Sequence, residues 1–274
     1  MRWLIFGGKG WIGQQLCDIL ESQDETIIYA SSRADNEIDV KEELSDIKPD
    51  RVISALGRAH GPGVNSSNYL QSNDKLLDNV RDNLYAPLAL SILCDKFNIH
   101  LTYIGTSALF SDDQLHNEED IPNFYDSNYS LIKGFTDRLM HFFESSTLNC
   151  RIGPCVCTDK SPYNILNKLL SYRQIHSVPT SISVLPIILP LIIDMAKNRH
   201  TGTFNMVNPG LISNNEILQM IKDIGEPTLT WENFTLETPQ PANLLNNNKL
   251  LQLYPNIPSV DEAIKDVITK IYEK

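Results

Sequence analysis

The sequence lacks any apolar run long enough to cross a bilayer. Its most apolar stretch, Ile182 to Ala196, is broken by Pro186, Pro190 and Asp194, and reads as a buried strand followed by a helix. A basic excess is also missing: 23 lysines and arginines stand against 34 aspartates and glutamates, for a net charge of -11. With no basic face able to neutralise a run of phosphates, nucleic acid and an anionic membrane are not expected as partners. An anionic small substrate then requires a locally positive pocket. Cysteine is scarce. The five present, Cys17, Cys94, Cys150, Cys155 and Cys157, are odd in number and match no paired metal-ligand spacing. No metal is expected, and reduced thiols fit a cytoplasmic location. The opening Met1-Arg-Trp-Leu-Ile-Phe-Gly7 leaves no room for the apolar stretch of a signal peptide before a glycine turn. There is no internal repeat and no long linker.

What is present is an alternation of short apolar runs with helix-length amphipathic ones, the pattern of a doubly wound parallel sheet in an α/β fold. Strands are expected near Leu4–Phe6, Thr26–Tyr29, Arg51–Ser54, Leu101–Ile104 and Leu148–Ile152. Helices are expected near Trp11–Glu21, Val80–Phe97 and Tyr129–Phe143. Right-handed crossovers put all the strand carboxyl ends on one edge, where such folds bind ligands. After about Cys155 prolines, asparagines and turn residues rise, and Ser213-x-x-Glu216 and Ser259-x-x-Glu262 are capping-box patterns that open helices. The expected organisation is a dinucleotide-binding domain over 1–154 and a smaller, mainly substrate-binding lobe over 155–274, with segments near 185–206 returning to the first domain.

Gly7-Gly-Lys9-Gly10-Trp11-Ile12-Gly13 follows a strand-like run and opens a helix-like one. Glycines at 7, 10 and 13 allow a tight turn, approach of a pyrophosphate to the helix N-terminus and close helix–sheet packing. Where an acid after the second strand would accept ribose hydroxyls, the chain reads Tyr29-Ala-Ser-Ser-Arg33; a guanidinium there favours a 2′-phosphate, hence NADPH over NADH. Asp39 is a candidate either for the adenine or for capping a helix. Ala55, Leu56 and Gly57, after the third strand, and Lys133 complete the expected cofactor set.

Tyr129-Ser-Leu-Ile-Lys133 places a phenol and an ammonium one helical turn apart. A nearby ammonium and an oxidised nicotinamide lower a phenol's pKa, which makes Tyr129 a proton donor usable near neutrality. Thr106-Ser107 follows the run Leu101–Ile104, so its hydroxyls are expected at that strand's carboxyl end. A glycine loop, a hydroxyl at a strand end and Tyr-x-x-x-Lys, in that order, resemble the short-chain dehydrogenases. In their chemistry hydride reaches a carbonyl carbon, Thr106 and Tyr129 hold the oxygen, and Tyr129 gives the proton.

The stretches Phe6-Gly-Gly-Lys-Gly-Trp-Ile-Gly13, Pro122-Asn-Phe-Tyr-Asp-Ser-Asn-Tyr-Ser130, Gly202-Thr-Phe-Asn-Met-Val-Asn-Pro-Gly210, Asn215-Glu-Ile-Leu218 and Thr230-Trp-Glu-Asn-Phe-Thr-Leu-Glu237 resemble the bifunctional nucleotide-rhamnose synthases. These are similar to dTDP-4-dehydrorhamnose reductases. The resemblance implies a UDP-linked, less readily a dTDP-linked, 4-keto-6-deoxyhexose as substrate, epimerised beside the ketone and then reduced by NADPH. It implies substrate contacts at Ser107, Tyr129, Asn164 and Lys168, with Lys168 as an epimerisation residue. The family's cysteine two residues beyond the catalytic threonine is replaced by Ala108, and an arginine expected at Gln240 is absent; the segment before Pro122 is shorter. Three readings stay open: a pure 4-reductase, a single epimerisation by Lys168 alone, or a site rearranged around Cys155 or Cys157. A dehydratase or 4-epimerase that recycles bound NAD and a non-catalytic redox sensor are the rivals. A homodimer is a further expectation; the sugar's carbon-2 substituent is left open.

Overall fold

The computed structural model describes residues 1–61, 63–64, 66–236 and 242–273. Two compact units divide the chain: Met1–Leu109, Glu119–Arg151 and Leu189–Phe204 form the first, and Phe110–Glu118, Ile152–Ile188 and Asn205–Lys274 the second. In chain order the elements begin β1 (Arg2–Phe6), α1 (Trp11–Ser22), β2 (Thr26–Tyr29), α2 (Glu37–Ile47), β3 (Arg51–Ser54), α3 (Leu76–Val80), α4 (Ala86–Lys96), β4 (His100–Ile104), α5 (Asn128–Met140) and β5 (Thr147–Ile152). They continue through β6 (Cys155–Val156), α6 (Ile165–Ser171), β7 (Gln174–Ile175), β8 (Ser183–Val184), α7 (Leu185–Lys197), β9 (Gly202–Met206), α8 (Asn214–Ile224), β10 (Glu232–Asn233), α9 (Asn248–Leu253) and α10 (Val260–Tyr272).

The main sheet has the order β2-β1-β3-β4-β5-β9. Strands β2, β1, β3, β4 and β5 pair in parallel, with Leu4 in register with Ile28 on one side and Val52 on the other. This is the doubly wound α/β arrangement, and its central strands are apolar almost throughout because helices cover both faces. Leu4, Phe6 and Val52 pack with Val40 and Leu44 of α2 and Leu90 and Leu93 of α4 in one core. All five strand spans foreseen in the sequence are present, extended by at most one or two residues.

Two helical features depart from the expectations. Helix α2 was not foreseen, since its only buried residues are Val40 and Leu44 among charged neighbours, too sparse an apolar stripe to announce a helix. The helix expected near Val80–Phe97 begins earlier, at Leu76, and is interrupted by a π-helical turn over Arg81–Tyr85. Pro87 supplies the reason: it has no N–H for the carbonyl of Asn83, four residues back, and its ring crowds that oxygen. The hydroxyl of Thr136 donates to the Asn83 carbonyl instead, at 2.6 Å.

The second unit contains two small parallel pairs, β6 with β8 and β7 with β10. Its core joins Val156, Leu166, Ile182, Ile217, Ile221 and Ile264 with other aliphatic residues of α8 and α10. Both capping boxes form: Ser213 and Ser259 each accept from the backbone N–H of the glutamate three residues on, and that glutamate accepts from the serine backbone. Ile182 to Ala196 is strand β8 leading into α7, as its prolines and length suggested. No helix among the described residues is long and apolar enough to cross a membrane.

Candidate active site

The glycine loop is dictated by space. Gly7 has φ +78°, and a Cβ there would lie 2.6 Å from the Ala55 carbonyl oxygen, while one on Gly13 would lie 2.1 Å from the Gly7 oxygen. No other residue fits either position without moving backbone. Gly10 opens α1 without a side-chain cap, so the helix presents backbone N–H donors and its positive dipole end there. Lys9 is exposed in the turn, and Trp11 and Ile12 form the half-buried first residues of α1.

Beside this loop lies a cavity of about 430 Å³ whose lining includes Gly7, Arg33, Leu56, Gly57 and the apolar Phe6 and Ala86. Ala55 is not part of this lining; it follows β3, donates its N–H to the Phe6 carbonyl at 2.9 Å and crowds Gly7. Four ionisable lining residues were not anticipated: Asp35, Arg58, His60 and Asp82. Arg33 donates through Nε and Nη2 to both carboxylate oxygens of Asp35, at 2.9 and 3.1 Å, and Arg58 donates through Nε to Asp82 at 2.6 Å. The guanidinium of Arg33 holds the Asp35 carboxyl below its ordinary pKa against a burial penalty. Asp39 lies elsewhere, in the first turn of α2, where its carboxylate accepts from the Asn36 amide at 2.6 Å and lines an acidic depression with Glu42, Glu43 and Asp46. A turn that only glycine allows, uncapped helix N–H groups and a guanidinium-lined cavity together suit a dinucleotide: diphosphate on the loop, adenosine toward Arg33.

Thr106 follows β4, and its hydroxyl oxygen accepts from the backbone N–H of Ala108 at 3.2 Å; Ser107 beside it is buried. Tyr129 and Lys133 both lie on α5, whose start is fixed by a polar network absent from the sequence reading. Ser127 caps the helix by accepting from the Ser130 N–H, Gln71 donates to the Ser127 hydroxyl, and the Gln71 side-chain oxygen accepts from the Asn128 N–H. Asn79, fully buried, donates to the Asn128 carbonyl at 3.0 Å. The clue lay in Asn79, Asp82 and Asn83, polar residues inside an otherwise apolar helical pattern.

Lys133 is 4 % exposed, its ammonium donates to the Tyr103 hydroxyl, and it sits 4.6 Å over that ring. Burial pushes its pKa down to about 8, while the Asp137 carboxylate one turn on pulls it up. Asp137 is itself held by buried Arg151 at 2.6 and 2.9 Å and by Asn149 at 2.9 Å. The lysine is thus a confined cation whose charge is sensitive to its surroundings.

In the second unit, Lys168 is half-buried on α6, and burial lowers its pKa while nearby Cys155 raises it. The Cys155 thiol donates to the Gly153 carbonyl at 3.2 Å and is pushed up to about 12, first by burial; Cys157 is pushed up to about 12 as well, again first by burial. Neither thiol is an effective base near neutrality. Asn164 is the N-cap of α6, and its amide also donates to the Cys157 and Asp159 carbonyls at 2.7 and 3.0 Å, so its polar atoms are committed to the loop. A cavity of about 460 Å³ within this unit is lined by Ile165, Leu169, Tyr172, Gln174, His176 and Phe234, among others. Gln240 falls outside the described residues.

The family pattern described as "NAD dependent epimerase/dehydratase family" matches residues 3–154, more than half of the chain. The chain belongs to this family. Within it, the chain is 49% identical to a UDP-rhamnose synthase of Acanthamoeba polyphaga mimivirus whose crystal structure superposes with a TM-score of 0.95, covering 98% of this chain and 99% of that one. It is 32% identical to a bifunctional dTDP-4-dehydrorhamnose 3,5-epimerase/dTDP-4-dehydrorhamnose reductase of Arabidopsis thaliana, over 96% of this chain and 91% of that protein. The fold is also that of a dTDP-4-dehydrorhamnose reductase from Bacillus anthracis solved with NADP, at a TM-score of 0.83 and 15% identity over 98% of each chain. The family's NAD(P)-dependent enzymes thus include the type that the sequence resembled.

Proposed function

We propose that this protein is an NADPH-dependent 4-reductase of a UDP-linked 4-keto-6-deoxyhexose that also epimerises its substrate, giving a UDP-L-rhamnose-type sugar. The observation that carries this reading is the full-length 49% identity and 0.95 TM-score to a UDP-rhamnose synthase. Arg33 in the loop-side cavity supports NADPH, which when bound supplies hydride to the ketone carbon. Thr106 and Tyr129 hold the ketone oxygen, Tyr129 delivers the proton, and Lys133 stabilises the phenolate left behind. The cavity of the second unit, with His176, Phe234 and Tyr172 for stacking and Gln174 for hydrogen bonding, suits the nucleotide base.

Epimerisation needs a group that removes a proton from a carbon made acidic by the neighbouring ketone. Ala108 cannot do this, and Cys155 and Cys157 hold their protons firmly. Lys168, whose ammonium is destabilised by burial, is the residue suited to it, and one such group favours a single epimerisation at carbon 3, which gives an L-rhamnose-type sugar from a substrate already inverted at carbon 5. Incubation with NADPH and a UDP-4-keto-6-deoxyhexose in deuterated water, followed by NMR of the product, tests the reading. Reduced sugar carrying deuterium at carbon 3 is expected; reduced sugar with no deuterium means a pure reductase, and no NADPH consumption with any epimer overturns the enzyme assignment.

We also propose a homodimer. Leu77, Phe135 and Phe142 are exposed apolar side chains on the first unit, in and just beyond α3 and α5, and a second copy is the partner that would cover them.

A further inference from the structure

We infer that Arg58 is a second binding residue for the 2′-phosphate of NADPH, acting with Arg33 as a two-guanidinium clamp; this rests on the reading of the loop-side cavity as the NADPH site. The side chains of Arg33 and Arg58 line that same cavity. Arg58 is set there by the π-helical turn of Arg81–Tyr85, which holds it at three points. The Asn83 side-chain oxygen accepts from the Arg58 N–H at 2.9 Å, the Asn83 amide donates to the Arg58 carbonyl at 2.8 Å, and Asp82 accepts from Arg58 Nε at 2.6 Å. Asn83 is fully buried and is itself fixed, donating to Asn79 at 2.8 Å. A π turn in mid-helix and a buried amide that engages both backbone polar groups of one loop residue are features of a built site.

The charge pattern fits a phosphate. Arg33 spends Nε and Nη2 on Asp35, and Arg58 spends Nε on Asp82. Each carboxylate aligns a guanidinium without occupying all five of its N–H donors, so both cations retain donors for an incoming dianion. Arg81 also reaches Asp35 at 3.6 Å and Asp78 at 3.9 Å, so three guanidiniums face three carboxylates, the cluster stays close to neutral, and a ligand with two charges is drawn by the remaining directed donors rather than by excess charge. A ligand with only a ribose hydroxyl at that position gains little from Arg58.

Calorimetric titration of the wild-type chain, Arg58→Met and Arg58→Lys with NADPH, NADH, adenosine 2′,5′-bisphosphate and AMP tests the assignment. Arg58→Met is expected to weaken NADPH and the bisphosphate by about tenfold, with NADH and AMP unchanged and Arg58→Lys between. Equal weakening of NADPH and NADH would place Arg58 on the adenine ring and overturn the clamp, as would no change in any ligand. If wild type binds NADPH no better than NADH, the NADPH reading fails with it. Unaltered AMP binding by the variants shows that the cavity is folded.

Discussion

At the scale of single residues, Lys133 is where geometry makes the sharpest statement about chemistry. In water a lysine stays charged beyond pH 10, but here burial brings its pKa to about 8. If the charge on Lys133 stabilises the Tyr129 phenolate, kcat/KM for the ketone should fall as pH rises through about 8, because that quantity reports the free enzyme. A pH–rate profile of reduction checks this; a level profile through that region would remove Lys133 from the proton chemistry. Stability runs the other way. The folded-state pKa lies below the ordinary 10.5, so between about 8 and 10.5 the unfolded chain binds more protons and raising pH favours the folded state. The buried thiols Cys94, Cys150, Cys155 and Cys157 work against this, because burial raises their pKa values above the ordinary thiol range and rising pH then favours the unfolded chain; thermal unfolding followed across the same window separates loss of activity from loss of fold. That Tyr129 and Lys133 lie one turn apart on one helix was legible from their spacing. That Lys133 would donate to Tyr103 was not, because Tyr103 lies on β4 and the meeting depends on how α5 packs; Asp137, one turn on along α5, was within reach of the same spacing argument.

At the scale of elements, the readable parts were those where local chemistry overrides context. The capping boxes at Ser213 and Ser259 formed as the spacing required. In Ser259→Ala, α10 loses its first-turn acceptor at about 1 kcal/mol, which thermal unfolding should record as a fall of about 2–4 °C in Tm. An unchanged Tm would mean that packing of Val260, Ile264 and Val267 alone sets the start of α10. Helix α2 and the π turn were unreadable for opposite reasons. The first has too few apolar residues to show a period, and the second follows from one proline interacting with a carbonyl whose replacement donor, Thr136, lies more than fifty residues away in sequence.

At the scale of the whole molecule, charge and apolar surface pull against each other. A chain of net charge -11 repels its copies, yet Phe142 is 79 % and Leu77 67 % exposed. If a second copy covers this surface, sedimentation should show a dimer that strengthens with added salt, as screening relieves the repulsion, and Phe142→Asp should be monomeric. A wild-type chain that remains monomeric at all salt and protein concentrations would overturn the homodimer.

The sequence by itself determined the parallel α/β sheet, the glycine loop, the positions of Thr106, Tyr129 and Lys133 on their elements, and the family, because each rests on periodicity, turn sterics or spacing within a short stretch. Tertiary structure alone decided that Asp82 braces Arg58, that Gln71 and Asn79 fix the start of α5, and that Cys155 lies near Lys168. Those are meetings of polar groups brought together by packing, with Asn79 and Cys155 buried among them. Burial sets their energies: a desolvated donor or acceptor must find a partner, and which partner is within reach depends on the fold as a whole.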